Sequence, residues 1–323
     1  TAVEEAELLL EDGAVHDQQL FEQCITSPII FASAMLNFGV HQILDTLCAL
    51  APEPGARESD PKAVEAVERL ETMLGWPAKQ RMPNLLLVGP TNNGKSMIIE
   101  RFRRQHPPSS EPDREQVPVV CVQMPSEPSP LRFYTAILSV LGAPLRPRPR
   151  LVELERLALS LLREVGARML VVDELHNVLA GRGDTRREFL NLLRFLGNEL
   201  RIPLVGVGTR EAYLAVRSDD QLENRFEPMM LPLWEANDDC CSLLASFAAS
   251  LPLRRPSPIA TLDMARYLLT RSEGTIGELA HLLMAAAIVA VESGEEAINH
   301  RTLSMAVYTG PSERRRQFER ELM

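Results

Sequence analysis

The chain has very little lysine. Of its 34 basic side chains only Lys62, Lys79 and Lys95 are lysines, against 31 arginines, so a lysine held in a tight loop is there for its compact ammonium. Aromatic residues make up 5%, too few to interleave with basic residues as a single-strand stacking platform requires. Cysteine is also scarce. The five thiols (Cys24, Cys48, Cys121, Cys240, Cys241) show no C-x-x-C spacing and lie mostly in apolar runs, which argues against disulfides and zinc. No stretch approaches the roughly 18 to 20 apolar residues of a membrane span, and the opening TAVEEAELLLEDG lacks a signal peptide's basic flank and apolar centre. The expectation is a cytoplasmic protein with no membrane partner.

What is present is enough for a large buried core: 323 residues, 45% of them apolar. The formal charge of -10 is confined to one end. Residues 1 to 60 hold eleven acids and one base, while the remaining 263 residues balance at 33 of each sign. A neutral body with local arginine clusters can bind nucleic acid through one face, so the acidic total does not exclude a polyanionic partner.

The stretch APEPGARESDP (51–61) reads as a linker, which sets off an acidic N-terminal extension with helical character in its second half. Helix and strand signals then alternate, the pattern of a parallel sheet covered by helices. Asp60 is placed as an N-cap, with Pro61 at the first helical position. Buried strands are expected at NLLLVG (84–89), VPVVCVQ (117–123), RMLVVDE (168–174) and IPLVGVG (202–208), and a weaker one at PMMLPLW (228–234). After Asn237 only helical patterns remain. The expected fold class is α/β: a three-layer P-loop domain with a parallel sheet, then a small helical lid. The expected segments are an extension and linker over 1–55, an α/β core over 56–236, a lid over 237–310 and a basic tail over 311–323. The tail, ERRRQFER, reads as a peptide for partners or as disorder.

Lys95 belongs to GPTNNGKS, which fits G-x-x-x-x-G-K-[ST]. Gly89 allows the turn out of a strand, and Gly94 allows the backbone to approach a phosphate. The N–H groups of Pro90's successors Thr91, Asn92 and Asn93, with the start of the next helix through Met97, form a cradle for a polyphosphate. The Lys95 ammonium suits the β/γ-phosphates as a point charge, and Ser96 suits Mg²⁺. An ordinary glycine-rich turn is the bland alternative, but the strand before and the helix after supply the context a phosphate loop needs. RMLVVDE supplies the other half: Asp173 for Mg²⁺ and Glu174 to polarise the attacking water. An acid directly after this Asp points to P-loop enzymes that hydrolyse ATP with a carboxylate base.

Four further features carry weight. Thr209, at the end of IPLVGVG, could reach the γ-phosphate or its water, or could cap the helix TREAYLAV; both readings stay open. Arg225 precedes the last strand, where ring- or filament-forming ATPases place an arginine that acts on the neighbouring subunit's γ-phosphate. A lone arginine is otherwise a surface or ion-pair residue. The sensor arginine that related ATPases carry at the start of a lid helix is missing from Thr275, Ile276 and Gly277. The arginines after the phosphate loop (Arg101, Arg103, Arg104) and those at Arg132, Arg146, Arg148 and Arg150 form clusters. Such runs are most often a solvated face, and the alternative is contact with the backbone of duplex DNA.

From about Asp60 to Thr309 the chain resembles the TniB/TnsC family of AAA+ transposition regulators, through RMPNLLLVGPTNNGKS, RMLVVDELHNVLAG, VGVGTREAY, LENRFEP and SEGTIGEL. The resemblance implies an ATPase that assembles as a homo-oligomeric ring or filament on double-stranded DNA, marks a target site, and communicates with a transposase and often a TniQ-type adaptor. It gives Lys95, Ser96, Asp173 and Glu174 the Walker roles, with ATP and Mg²⁺ as ligands, and Arg225 the finger role. The first 50 residues do not match the usual family start. A replication-initiator or helicase-loader ATPase is the alternative within the same enzyme class, and a nucleotide-locked scaffold without turnover is the alternative outside it.

Overall fold

The computed structural model describes residues 61–111 and 114–321. The expected extension and linker, and the Asp60 cap, lie outside the described residues. Helix α1 (Pro61–Leu74) opens on a proline, whose missing N–H costs nothing there, and buries Ala66, Leu70, Met73 and Leu74 as one stripe. Strand β1 (Asn84–Val88) is buried at every position, as a strand covered on both faces must be. There follow α2 (Lys95–Gln105), an antiparallel hairpin of β2 (Ser109–Glu111) and β3 (Arg114–Gln116), β4 (Val119–Gln123), α3 (Pro130–Val140), α4 (Leu151–Glu164) and β5 (Met169–Asp173). A 3-10 turn (Leu175–Ala180), α5 (Gly183–Leu200), β6 (Leu204–Gly208), α6 (Arg210–Arg217), the one-turn α7 (Asp220–Glu223) and β7 (Phe226–Met230) come next.

The main sheet has five parallel strands in the order β4-β5-β6-β1-β7. Side chains alternate across a strand, so β1 sends Leu85 and Leu87 to one face and Leu86 and Val88 to the other. The first pair packs with Leu70 of α1 and Phe102 of α2. The second joins a core that includes Phe133 of α3, Leu162 of α4 and Phe189 of α5. Three layers result. From β1 the chain crosses to the far edge at β4, returns through β5 and β6 to one side of β1, and then passes to β7 on its other side, so the loops at the C-terminal ends of the strands meet beside β1.

The last strand differs from the expected 228–234. It spans Phe226–Met230 and pairs in register with all of β1, from Asn84↔Phe226 to Val88↔Met230. It is an edge strand, where Pro228 is tolerated because one side of its backbone has no ladder partner. The hairpin of β2 and β3 carries no apolar alternation and was not expected from the sequence.

Beyond β7, helices α8 (Asp238–Ser250), α9 (Leu262–Ser272), α10 (Ile276–Glu292) and α11 (His300–Met305) enclose a separate core around Cys240, Leu244, Leu268, Leu282 and Leu303. Their starts are set by local chemistry. Asn237 accepts from Cys240 N at 2.9 Å, and Asn299 and Thr302 form a reciprocal capping box. Among the described residues no single helix is long and apolar enough to cross a membrane.

The C-terminal segment, expected as a peptide tail or disorder, is helix α12 (Pro311–Glu321). It is fastened to the first turn of α10. Arg314 Nη2 donates to Glu278 Oε1 at 2.5 Å, Tyr308 Oη donates to Glu278 Oε2 at 2.9 Å, and the Ser312 N–H donates to Glu273 at 2.7 Å. Burial alone would raise the Glu278 carboxyl pKa, but the Arg314 and Tyr308 donors outweigh it, and the net shift is downward. A depressed carboxylate adds stability above its ordinary pKa of roughly 4.3 and loses it as pH falls through the folded value. Arg314→Ala should therefore speed amide hydrogen exchange in α12 at neutral pH, and the difference from the parent protein should shrink as the medium is acidified below that range.

Candidate nucleotide-binding site

The loop between β1 and α2 is shaped by two left-handed residues, Asn92 at φ 63° and Gly94 at φ 82°. The second needs glycine: its conformation disfavours a side chain, and an added Cβ would lie 3.4 Å from Ile276. Gly89 is tied across the sheet by its N–H to the Gly208 carbonyl at 3.1 Å. Lys95, the first residue of α2, is 7% exposed, and its Nζ donates to the carbonyls of Gly89 at 2.9 Å and Pro90 at 2.6 Å. Burial pushes the ammonium below its ordinary pKa, while Glu174 and Asp173 pull in the opposite direction. A cation held this way has the position and charge to exchange loop carbonyls for phosphate oxygens.

Asp173 ends β5, two strands from β1, and Ser96 Oγ donates to its Oδ2 at 2.9 Å. These are two hard oxygen donors at one point. Mg²⁺ typically takes one or two protein oxygens and keeps its waters, so the pair fits that ion. Asp173 Oδ1 accepts from the Glu174 N–H at 2.8 Å, and Glu174 is in the left-handed region at φ 56°. The strand thus turns sharply after the first acid and sends the second in another direction.

Thr91, Asn92, Asn93, Gly94, Lys95, Ser96, Met97, Glu174 and Thr209 line one cleft of about 830 Å³. Gly89, Pro90 and Asp173 adjoin it through the bonds just described. Thr209 is the N-cap of α6 by position, but its side chain makes no capping bond. Its hydroxyl donates instead to Glu211 and holds that carboxyl below its ordinary pKa. The side-chain cap, one of the two readings open for Thr209, is therefore not made.

Residues that the sequence did not single out complete the cleft. His176, two positions after Glu174, places Nε2 3.2 Å from Glu174 Oε2 and leaves Nδ1 buried with no hydrogen-bond partner among the described residues. Its place in VDELHN was a usable signal. Ala63, Leu243, Phe247, Ile276 and Ala280 give an apolar wall drawn from α1, α8 and α10, which no local pattern reveals. Gly277, expected only as the place of a missing arginine, donates its N–H to the Asn92 carbonyl at 3.0 Å.

Arg225 is elsewhere. It precedes β7 at the N-terminal end of the sheet, where its carbonyl accepts from Asn84 N at 3.2 Å and its guanidinium donates to Asn198 at 2.8 Å. It lines a second cavity of about 920 Å³ with Trp76, Lys79 and Arg81. Parallel strands of five residues separate this end from the phosphate loop by about 16 Å, so Arg225 cannot serve the cleft of its own chain. Arg103 and Arg104 each pair with Glu100 at 2.9 Å along α2, and Arg132 lies 3.7 Å from Glu127. Arg146, Arg148 and Arg150 are exposed. The structure does not gather these arginines into one site.

A five-stranded parallel sheet in this order, with a phosphate loop after β1, an acid pair after β5 and a helical bundle beside the cleft, defines an AAA+ P-loop fold. Solved structures share it: the ORC2 protein of Aeropyrum pernix in ADPNP and ADP complexes (TM-score 0.53, 14% identity, 76% of this chain and 65% of that one), and the Aeropyrum pernix ORC1 protein in complex with DNA (TM-score 0.50, 18% identity, 79% and 67%). The model of the Bacterial TniB protein family matches residues 59–236, and the chain belongs to that family. Among curated proteins, the peptide chain release factor 3 of Nitrosomonas europaea is 38% identical over 68 residues; the match takes in 21% of this chain and only 13% of that protein's length.

Lys95→Ala should weaken ATP binding by about two orders of magnitude, taking roughly 3 kcal/mol for lost charge-assisted bonds. Calorimetric titration with Mg·ATP checks this; unchanged affinity would remove Lys95 from the phosphate site.

Proposed function

We propose that the protein is an ATP-hydrolysing AAA+ enzyme that assembles with copies of itself on double-stranded DNA, selects a target site and recruits or activates a transposase, with a TniQ-type adaptor as a further partner. Residues 56–236 act as the ATPase core, 237–310 as the lid and 311–323 as a docked C-terminal element. Membership of the TniB family supports the transposition role, and the DNA-bound ORC1 structure supports duplex binding by this fold. The observation that carries the assembly reading is the place of Arg225, anchored at the end of the sheet away from its own phosphate loop.

In this reading the loop N–H groups from Thr91 to Ser96 and the Lys95 ammonium bind the phosphates. Ser96 and Asp173 would hold Mg²⁺, which would supply positive charge to the phosphates. Glu174 orients the attacking water as general base, and Thr209 borders the same space. The γ-phosphate of one copy meets Arg225 of the next, which offsets the charge that develops in the transition state. His176 beside Glu174 restrains that carboxylate within the cleft.

The test exploits the division of labour. Glu174→Gln should bind Mg·ATP and lose turnover, and Arg225→Ala should bind ATP nearly as the parent does yet hydrolyse it at least about a hundredfold more slowly. Mixing the two variants creates some interfaces with an intact Glu174 and an intact finger, so hydrolysis should partly return. If mixed assembly is demonstrated and no ratio restores activity, Arg225 does not act in trans. Normal turnover by Glu174→Gln would move the base to another residue. If the assembled parent itself shows no turnover, a nucleotide-locked scaffold is the better description.

Duplex binding in the presence of ATP should fall steeply with salt, with a log–log slope of roughly -0.9 per phosphate neutralised and little sequence preference. Replacing Arg146, Arg148 and Arg150 by alanine should weaken binding on all sequences alike and make the slope shallower. Unchanged affinity and slope in the triple variant would place the DNA surface elsewhere.

A further inference from the structure

The two asparagines of GPTNNGKS occupy positions that the phosphate-loop pattern leaves unspecified, yet each bonds to a different part of the helical lid or its connection. Asn93 is 7% exposed, and its Nδ2 donates to the carbonyls of Pro232 at 2.8 Å and Leu231 at 3.3 Å. Two carbonyl acceptors fix which end of the amide faces them, because the reverse orientation would oppose oxygen to oxygen. The Asn92 backbone carbonyl accepts the Gly277 N–H, one of the donors that a helix start leaves unsatisfied. The contact is close enough that a Cβ on Gly277 would fall 2.2 Å from Asn92 Oδ1.

The segment from Leu231 to Trp234 is the only covalent path from β7 to the lid, and it is pinned along its length. The Leu231 N–H donates to the Val88 carbonyl of β1 at 2.7 Å, Asn93 holds the next two carbonyls, and the Trp234 N–H donates to the Gly274 carbonyl before α10 at 2.8 Å. Core, phosphate loop and lid are thus joined through four consecutive residues. Where a sensor arginine would tie the lid to the γ-phosphate by charge, this chain ties the lid to the loop through hydrogen bonds.

We propose that Asn92 and Asn93 are positioning residues that couple occupancy of the phosphate loop to the setting of the helical lid, Asn93 through the Leu231–Pro232 carbonyls and Asn92 through the start of α10. The inference rests on the nucleotide-binding reading above. Binding phosphate recruits the loop N–H groups and draws Lys95 from the Gly89 and Pro90 carbonyls, which shifts the loop at both asparagines. Asn93 Oδ1 is buried with no hydrogen-bond partner among the described residues, so this side chain passes the loop's displacement on through its Nδ2 bonds to the Leu231 and Pro232 carbonyls. The lid then follows the loop whether or not a γ-phosphate is present, so ATP and ADP should both set it.

The chain contains its own reporter. Of its two tryptophans, Trp234 lies in the pinned segment and packs against the lid core, and Trp76→Phe makes it the sole indole. In that background Mg·ATP and Mg·ADP should each shift Trp234 emission. Adding Asn93→Ala should, at Mg·ATP concentrations that calorimetry shows to saturate the variant, abolish most of the shift and lower kcat roughly tenfold. Asn93→Thr, whose hydroxyl can donate one of the two bonds, should restore part of both and guards against a misfolded alanine variant. A full emission shift in Asn93→Ala with ATP bound overturns the inference, as does a parent protein that binds ATP with no shift. No ATP binding by the parent overturns the nucleotide reading itself, and the inference with it.

Discussion

The buried ammonium of Lys95 is the constraint around which the mouth of the sheet is built. An unpaired cation with so little exposure is costly, and the fold meets that cost with loop carbonyls at the end of β1 and with carboxylates at the end of β5. This requires β1 and β5 to present their C-terminal ends together, which the parallel order around β6 achieves. It also requires a loop whose carbonyls turn inward, which the left-handed residues Asn92 and Gly94 make possible. A neutral residue would relax these demands, and with them the reason for a lysine in a chain that otherwise uses arginine.

The same crowding explains why the lid begins where it does. Gly277 approaches the loop backbone closely, and Ile276 lies against Gly94. An arginine at Gly277 would collide with Asn92 or force α10 away from the loop. The missing sensor arginine and the backbone contact are two aspects of one packing decision. Further along, α10 buries Glu278 against Arg314 and Tyr308, so the helix that borders the cleft at its first turn also receives the C-terminal helix there.

Much of the fold was legible because its strands are covered on both faces and therefore appear as continuous apolar runs; NLLLV and MLVVD are examples. The phosphate loop and acid pair were legible because their chemistry restricts residue type at fixed local spacing. What escaped depends on contacts between distant segments or on partners that a sequence pattern does not name. The edge strand begins two residues and ends four residues before its expected bounds because Pro228 and Pro232 obscure its pattern, and its register is set by pairing with β1. The hairpin at 109–116 is polar. ERRRQFER looked like a solvated tail because nothing in it reveals that Glu278, 36 residues earlier, needs a donor. The apolar wall of the cleft comes from helices separated by some 200 residues of chain, and its members resemble any core residue.

Anchoring Arg225 away from its own cleft has a physical consequence for the proposed mechanism. Its carbonyl is held by Asn84 at the start of β1 and its guanidinium by Asn198 of α5, so the side chain is presented by rigid elements. Lys79 and Arg81 line the same cavity together with Glu223 and Glu227, so both signs of charge meet there. The phosphate cleft, with its buried lysine and acids, lies at the opposite end of the sheet. In the proposed assembly these two unlike surfaces would meet head to tail, a contact that repeats as a ring where the rotation closes and as a helix where it does not. Turnover in such an array would depend on neighbours, so hydrolysis and assembly would become parts of one equilibrium, and whatever fixed the array on its duplex would also fix where ATP is hydrolysed.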